Sequence, residues 1–111
     1  MAPVTISDAR LVYITTDGPE EARKIGRALV EERLAACANI LGPMTSIFRW
    51  EGDIREGAET VLIAKTTVEN VDALTKRVIA LHSYDCPCVV AMPIESGNPA
   101  FLEWIAGETA R

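Results

Sequence analysis

The sequence predicts an α+β fold, and three observations carry the prediction. Runs rich in β-branched and other apolar residues recur at 11–16, 37–50, 60–66 and 89–94. Two segments with apolar residues spaced by three and four, 19–36 and 67–82, lie between the first and second runs and between the third and fourth. The resulting order is β-α-β-β-α-β with a long central hairpin and a short C-terminal helix. That is the order of the ferredoxin-like split fold, in which two helices cover one face of an antiparallel sheet. All 111 residues are assigned to one domain.

The first strand, 11–16, has apolar side chains in both phases, as expected of an interior strand. It stops at Asp17-Gly18-Pro19-Glu20, where Asp17 is expected to cap a helix and Glu20 to reach back to the capping residue. The helix is expected to run to about Ala36, with Ala22, Ile25, Leu29, Val30 and Leu34 forming its apolar stripe. The charges on its other side are balanced in sign, which reads as a solvated face. A second extended run begins at Cys37, is interrupted at Gly42-Pro43 and resumes over 45–50. Turn residues at 51–53 and 56–57 flank Ile54 before a third strand over 60–66. Thr67 is expected to cap a helix bearing Val71, Leu74, Val78 and Leu81. Pro93 places the last strand at a sheet edge, or at its end, because proline cannot donate to a ladder. Asn98-Pro99 should cap a final helix whose apolar side is Phe101, Leu102, Trp104 and Ile105.

The central hairpin is longer than the fold needs. Phe48, Trp50 and Ile54 lie beyond the span that two short helices can cover, so they are expected to be buried against an identical neighbour. Trp104 and Tyr84 are read as further interface or packing anchors, Tyr84 with its hydroxyl satisfied across the interface.

Composition narrows the function. With 49% hydrophobic and 24% charged residues the chain is globular, not disordered. A net charge of −5 repels nucleic acid and anionic membrane, so neither is an expected partner. There is no apolar run of spanning length, and Met1-Ala2-Pro3-Val4-Thr5 lacks secretory features. Three cysteines, an odd number, are most simply kept reduced in the cytoplasm. A single histidine and the lack of a nucleophile elbow argue against an enzyme. No glycine-rich loop accompanies Lys65-Thr66-Thr67, so no nucleotide or other organic cofactor is expected.

The richest local chemistry is His82-Ser83-Tyr84-Asp85-Cys86-Pro87-Cys88. It holds the sole histidine and two of the three cysteines, soft and borderline ligands for copper or another divalent cation. Alternate side chains of an extended segment share a side, so Cys86 and Cys88 could share a soft ion. A closed zinc site needs two more ligands, and no second pair exists. The incomplete set favours the opposing reading, in which one or both thiols are small buried hydrophobes. Cys37, at a helix-to-strand junction, is likewise read first as packing. His82 is expected to donate to the last carbonyls of its helix and complement the dipole, with ligation open if it is exposed. Asp85, Glu59 and Glu51 are read as solvated carboxylates rather than a hard-ion site.

Several blocks, in order and register, resemble the CutA family of divalent-cation tolerance proteins. They are Glu32-Arg33-Leu34-Ala35-Ala36-Cys37-Ala38-Asn39, Ser46-Ile47-Phe48-Arg49-Trp50-Glu51-Gly52, Lys65-Thr66-Thr67, and 82–87 followed by Pro93-Ile94, Gly97-Asn98 and Leu102-Glu103-Trp104-Ile105. The resemblance spans about 11–105. It implies a compact homotrimer with strands extended across subunit boundaries, tolerance of copper and other divalent metals, and metal binding. The candidate metal ligands are then Cys37, His82, Cys86 and Cys88. Ser83 stands where the family usually has proline, Asp85 where it has glutamate, and Cys88 where a carboxylate or amide is common. An alternative is a trimeric regulatory or scaffold protein that binds a small molecule or protein partner in an intersubunit cleft.

Overall fold

The computed structural model describes residues 7–110, and the opening pentapeptide lies outside them. Strand β1 (Ala9–Thr16) leads into helix α1 (Pro19–Glu31), then β2 (Cys37–Trp50) and β3 (Asp53–Thr67). A 3₁₀ turn over Val68–Asn70 precedes α2 (Val71–Leu81), followed by β4 (Val89–Pro93) and α3 (Pro99–Glu108). The four strands form one antiparallel sheet in the order β2-β3-β1-β4. This is the predicted ferredoxin-like α+β arrangement. It leaves β2 and β4 at the edges, where Pro43 and Pro93 cost no ladder bond between central strands.

One face of the sheet carries the core. Val12 and Ile14 of β1 and Leu62 and Ala64 of β3 pack against Ala22, Ile25 and Leu29 of α1 and Leu74 and Val78 of α2. All nine are fully shielded from solvent. Gly26 lets α1 approach closely, since a Cβ there would lie 3.1 Å from Leu62 Cδ1 and 3.3 Å from Ala38 Cβ. A second, smaller cluster joins Ala9 and Ala36 to Ile105 of α3.

The two-residue periodicity of the strands turns the alternate side chains the other way. Cys37, Lys65, Leu11 and Met92 form one cross-strand row; Asn39, Ile63, Tyr13 and Val90 form the next. None of these eight is fully buried in the single chain, and Val90 and Met92 are exposed. The sheet therefore has one covered face and one open, largely apolar face.

Several expectations are corrected. Helix α1 ends at Glu31, five residues early. Arg33 takes positive φ (58°), its N–H donates to Val30 and that of Leu34 to Leu29, while Leu34 folds back onto the core with Leu29. That is a Schellman stop, with arginine where glycine is usual. Val30 faces solvent instead of joining the stripe. The α1 N-cap is Gly18 without a side-chain cap, and it is Glu21, not Glu20, that reaches back, accepting from the Asp17 N–H at 3.0 Å. Thr67 makes no cap bond to the helix and instead accepts from Asn70 Nδ2. Asn98 caps α3 as expected, accepting from the Ala100 N–H. Only Ile105 of that helix is fully buried; Phe101 and Trp104 remain exposed, with their rings 5.4 Å apart.

The hairpin is longer and more continuous than expected. β2 passes through Gly42-Pro43 by a register shift between Leu41 and Met44, and Glu56-Gly57 lie inside β3. Trp50 pairs with Asp53 across a two-residue turn in which Glu51 and Gly52 both have positive φ (50° and 84°), the combination that matches strand twist. The tip projects from the body. Ile47 and Ile54 are 70% and 67% exposed, and Phe48 and Trp50 both 43%. The radius of gyration is 15.2 Å, against about 13 Å for a compact chain of this size.

Candidate functional site at the β1–α1–α2 corner

The 82–88 turn is held where the C-termini of β1 and α2 meet the N-terminus of α1. His82 is the C-cap residue of α2, and its backbone N–H closes the helix on Val78. Its side chain is fully shielded. Nε2 lies 2.8 Å from the Thr15 carbonyl, while Nδ1 lies 3.1 Å from the Tyr84 N–H. A carbonyl can only accept and an N–H can only donate, so these two contacts are matched by the tautomer that carries its proton on Nε2. The imidazole thus ties α2 to the end of β1, which corrects the expectation that it would cap its own helix. Both ring nitrogens are occupied within the chain.

Glu21 completes the corner. Its Oε1 accepts from the Asp17 N–H and lies 3.5 Å from His82 Nδ1, and its Oε2 accepts from the Ser83 N–H at 3.0 Å. Burial raises its pKa, but the hydrogen bonds from Ser83 and Asp17, with His82 nearby, outweigh that and leave it below the usual glutamate value. Ser83 therefore anchors the turn through groups that a proline could not supply, since proline has no N–H to donate.

Tyr84 packs its ring on His82, with centroids 4.7 Å apart, and donates its hydroxyl to Glu59 Oε2 at 3.0 Å. The hydroxyl is thus satisfied inside its own chain, not across an interface. Burial, then the bond to Glu59, then the negative charges of Glu59, Asp17 and Glu21 push its pKa up to about 12. At neutral pH it is a hydrogen-bond donor, not a base.

The other predicted ligands lie apart in character. Cys86 and Cys88 are free and exposed, which corrects the expectation of buried thiols. Cys37 is free and half-buried on the open sheet face; Lys65 Nζ lies 3.9 Å from its sulfur and donates to Asn39 Oδ1 at 2.6 Å. Lys65 is thus committed to the sheet and not to a helix N-terminus. Among the described residues of the single chain, no three His, Cys, Asp or Glu side chains are grouped to hold a metal ion. Every buried side-chain nitrogen and oxygen among them also has a hydrogen-bond partner. The thiols can donate to a soft centre as they stand, whereas His82 would have to surrender an internal hydrogen bond. The Glu21–His82 contact across the corner was not legible in the sequence, because the two are far apart along the chain and Glu21 looked like one of several surface charges.

The class is thus an α+β protein of ferredoxin-like topology with an overhanging hairpin and a cysteine-bearing corner turn. The sequence profile of the CutA1 divalent ion tolerance protein family matches residues 10–108, and the chain belongs to that family. It is 48% identical over 99 residues to the divalent-cation tolerance protein CutA of Thermus thermophilus, a match covering 89% of this chain and 96% of that protein. A solved structure of the divalent cation tolerance protein from Thermus thermophilus superposes with a TM-score of 0.90 at 47% identity, covering 92% of this chain and 99% of the other. The periplasmic divalent cation tolerance protein CutA from Archaeoglobus fulgidus superposes at 0.88 and 42% identity, covering 91% and 98%. Against longer relatives such as protein CutA of Mus musculus, 42% identical, the match covers 84% of this chain and 52% of the relative. Among the described residues no helix is long and apolar enough to cross a membrane.

Proposed function

We propose that this chain acts as a cytoplasmic homotrimer that supports tolerance of divalent metal ions and binds copper or another divalent ion weakly. Family membership with the Thermus thermophilus protein, matched over nearly its whole length, is the observation that carries the tolerance reading. The trimer draws support from two apolar surfaces of the single chain that need cover: the open face bearing Leu11, Tyr13, Ile63, Val90 and Met92, and the hairpin tip bearing Ile47, Phe48, Trp50 and Ile54. Contiguous apolar surface of this kind on a soluble protein marks an association site. Trp104 of α3 is half-exposed in the same way.

Metal binding draws support from donor chemistry. Cys86 and Cys88 are exposed thiols, and Cys37 lies on a face that a neighbouring copy would cover. A set contributed by more than one subunit would be weak in any separated chain, and His82 would join only at the expense of its bond to Thr15 or Tyr84. Free thiols also fit a reducing compartment. Copper and zinc titration of the wild type beside the Cys86→Ser/Cys88→Ser double variant tests the ligand set. Reduced affinity or stoichiometry in the variant supports it; unchanged binding removes both thiols from the site.

A further inference from the structure

We infer that Cys86 and Cys88 form a chelating dithiol that captures trivalent arsenicals, with Cys37 taking no part. The inference deepens the metal-facing reading of this turn by naming a class of thiophilic centre distinct from divalent cations. Three features of the chain carry it. First, both thiols are free and exposed, so neither must leave a packed site to react. Second, only Pro87 separates them, so the two thiols sit two residues apart on one short turn. Cα atoms two residues apart are at most about 7 Å from each other, close enough for two cysteine side chains to close on one atom.

Third, the segment is pinned at both ends. Tyr84 is held by its N–H on His82 Nδ1 and its hydroxyl on Glu59. Val89 is held by β4 pairing opposite Ile14. Only Asp85 to Cys88 lie between these anchors, so both thiols ride on a short connection and little chain entropy remains to be lost on chelation. The pair differs from Cys37, which sits on the sheet beside Lys65 and Asn39.

The reaction balances without a redox change. A hydrated monosubstituted arsenical, R–As(OH)2, exchanges its two hydroxyls for the two sulfurs. Two As–S bonds form and two As–O bonds break. The two thiol protons leave with the hydroxyls as two waters, and arsenic remains trivalent.

Phenylarsine oxide is the probe, because its phenyl group leaves two positions for sulfur. Titrated into the reduced native protein and followed by thiol loss and native mass spectrometry, it should bind once per chain with loss of two thiols. Cys37→Ser should bind unchanged. Cys86→Ser and Cys88→Ser should each weaken binding by about 100-fold, the expected loss when a second attachment on the same chain is removed. Cys88→Ala provides a second version of the test with a different replacement. Retention of tight binding in either single variant, its loss in Cys37→Ser, or one arsenical bridging two chains would overturn the inference. Because the probe reports thiols alone, a protein that binds copper but not the arsenical keeps the proposed function and loses only the chelate. One that binds the arsenical but no divalent ion does the reverse.

Discussion

Tyr84 and Glu21 show how single side chains hold the corner together. Tyr84 has its pKa raised to about 12 by burial and by the carboxylates around it. A proton held more tightly in the folded state adds stability that is complete below the ordinary tyrosine value of 10.0 and drains away as pH climbs toward 12. Tyr84→Phe should cost about 0.5–1.5 kcal/mol at neutral pH, the net worth of a hydrogen bond. It should also flatten the fall in stability above pH 10.0, which denaturant titrations across the alkaline range would measure. Glu21 has the opposite sign. Its lowered pKa adds stability above the ordinary value of 4.5, lost as pH falls through the folded-state value. Glu21→Gln keeps one oxygen to accept from either the Asp17 or the Ser83 N–H, turns a donor NH2 toward the other, and loses the charge. It should lower stability by about 1 kcal/mol near neutrality and converge on the wild type in acid. Thermal melts between neutral pH and pH below 4.5 would separate the two curves.

At the scale of elements, the backbone's positive-φ positions locate the boundaries that periodicity misplaced. The apolar spacing of 22, 25, 29 and 34 continues past the end of α1 because Leu34 packs on Leu29 from the stop motif, not from another helical turn. Composition gave no warning, since the left-handed position holds Arg33 and not glycine. The same holds at the hairpin tip. Glu51-Gly52 is a two-residue turn whose first position is occupied by a glutamate in the left-handed region, and the adjacent Glu56-Gly57 offered a competing turn signal within β3. Asparagine tolerates that region far better, so Glu51→Asn should stabilise the protein by about 0.5–1 kcal/mol, read as a raised denaturation midpoint with an unchanged slope. Element order, by contrast, was fully legible: two helical stripes among four β-rich runs leave few other folds. The corner was half legible. Local sequence gathered His82, Tyr84 and the thiols, but their partners Thr15, Glu21 and Glu59 come from elements distant in sequence.

The whole molecule is dominated by surfaces that one chain leaves open. Extents of 53 × 29 × 22 Å reflect a hairpin that outruns the body, with its apolar tip unsheltered. Copies that cover these surfaces would link association to folding, so stability should rise with protein concentration. Replacing Phe48 and Trp50 together by serine should lower both the native mass and the thermal midpoint if the tip is an interface, while leaving far-UV circular dichroism unchanged. A lost fold with no change in mass at partial denaturation would instead assign these residues to the subunit. Core substitution provides the contrast: Leu62→Ala, in the fully buried layer, should cost about 2–5 kcal/mol whatever the assembly state.

The central claim, a trimer that binds divalent ions, is tested most directly by equilibrium dialysis of the reduced native protein against copper, with metal counted per chain and mass determined on the same sample by light scattering. The account predicts a mass of three chains and saturable, weak copper binding. A monomer mass, or a trimer that retains no copper above the buffer level, would contradict it.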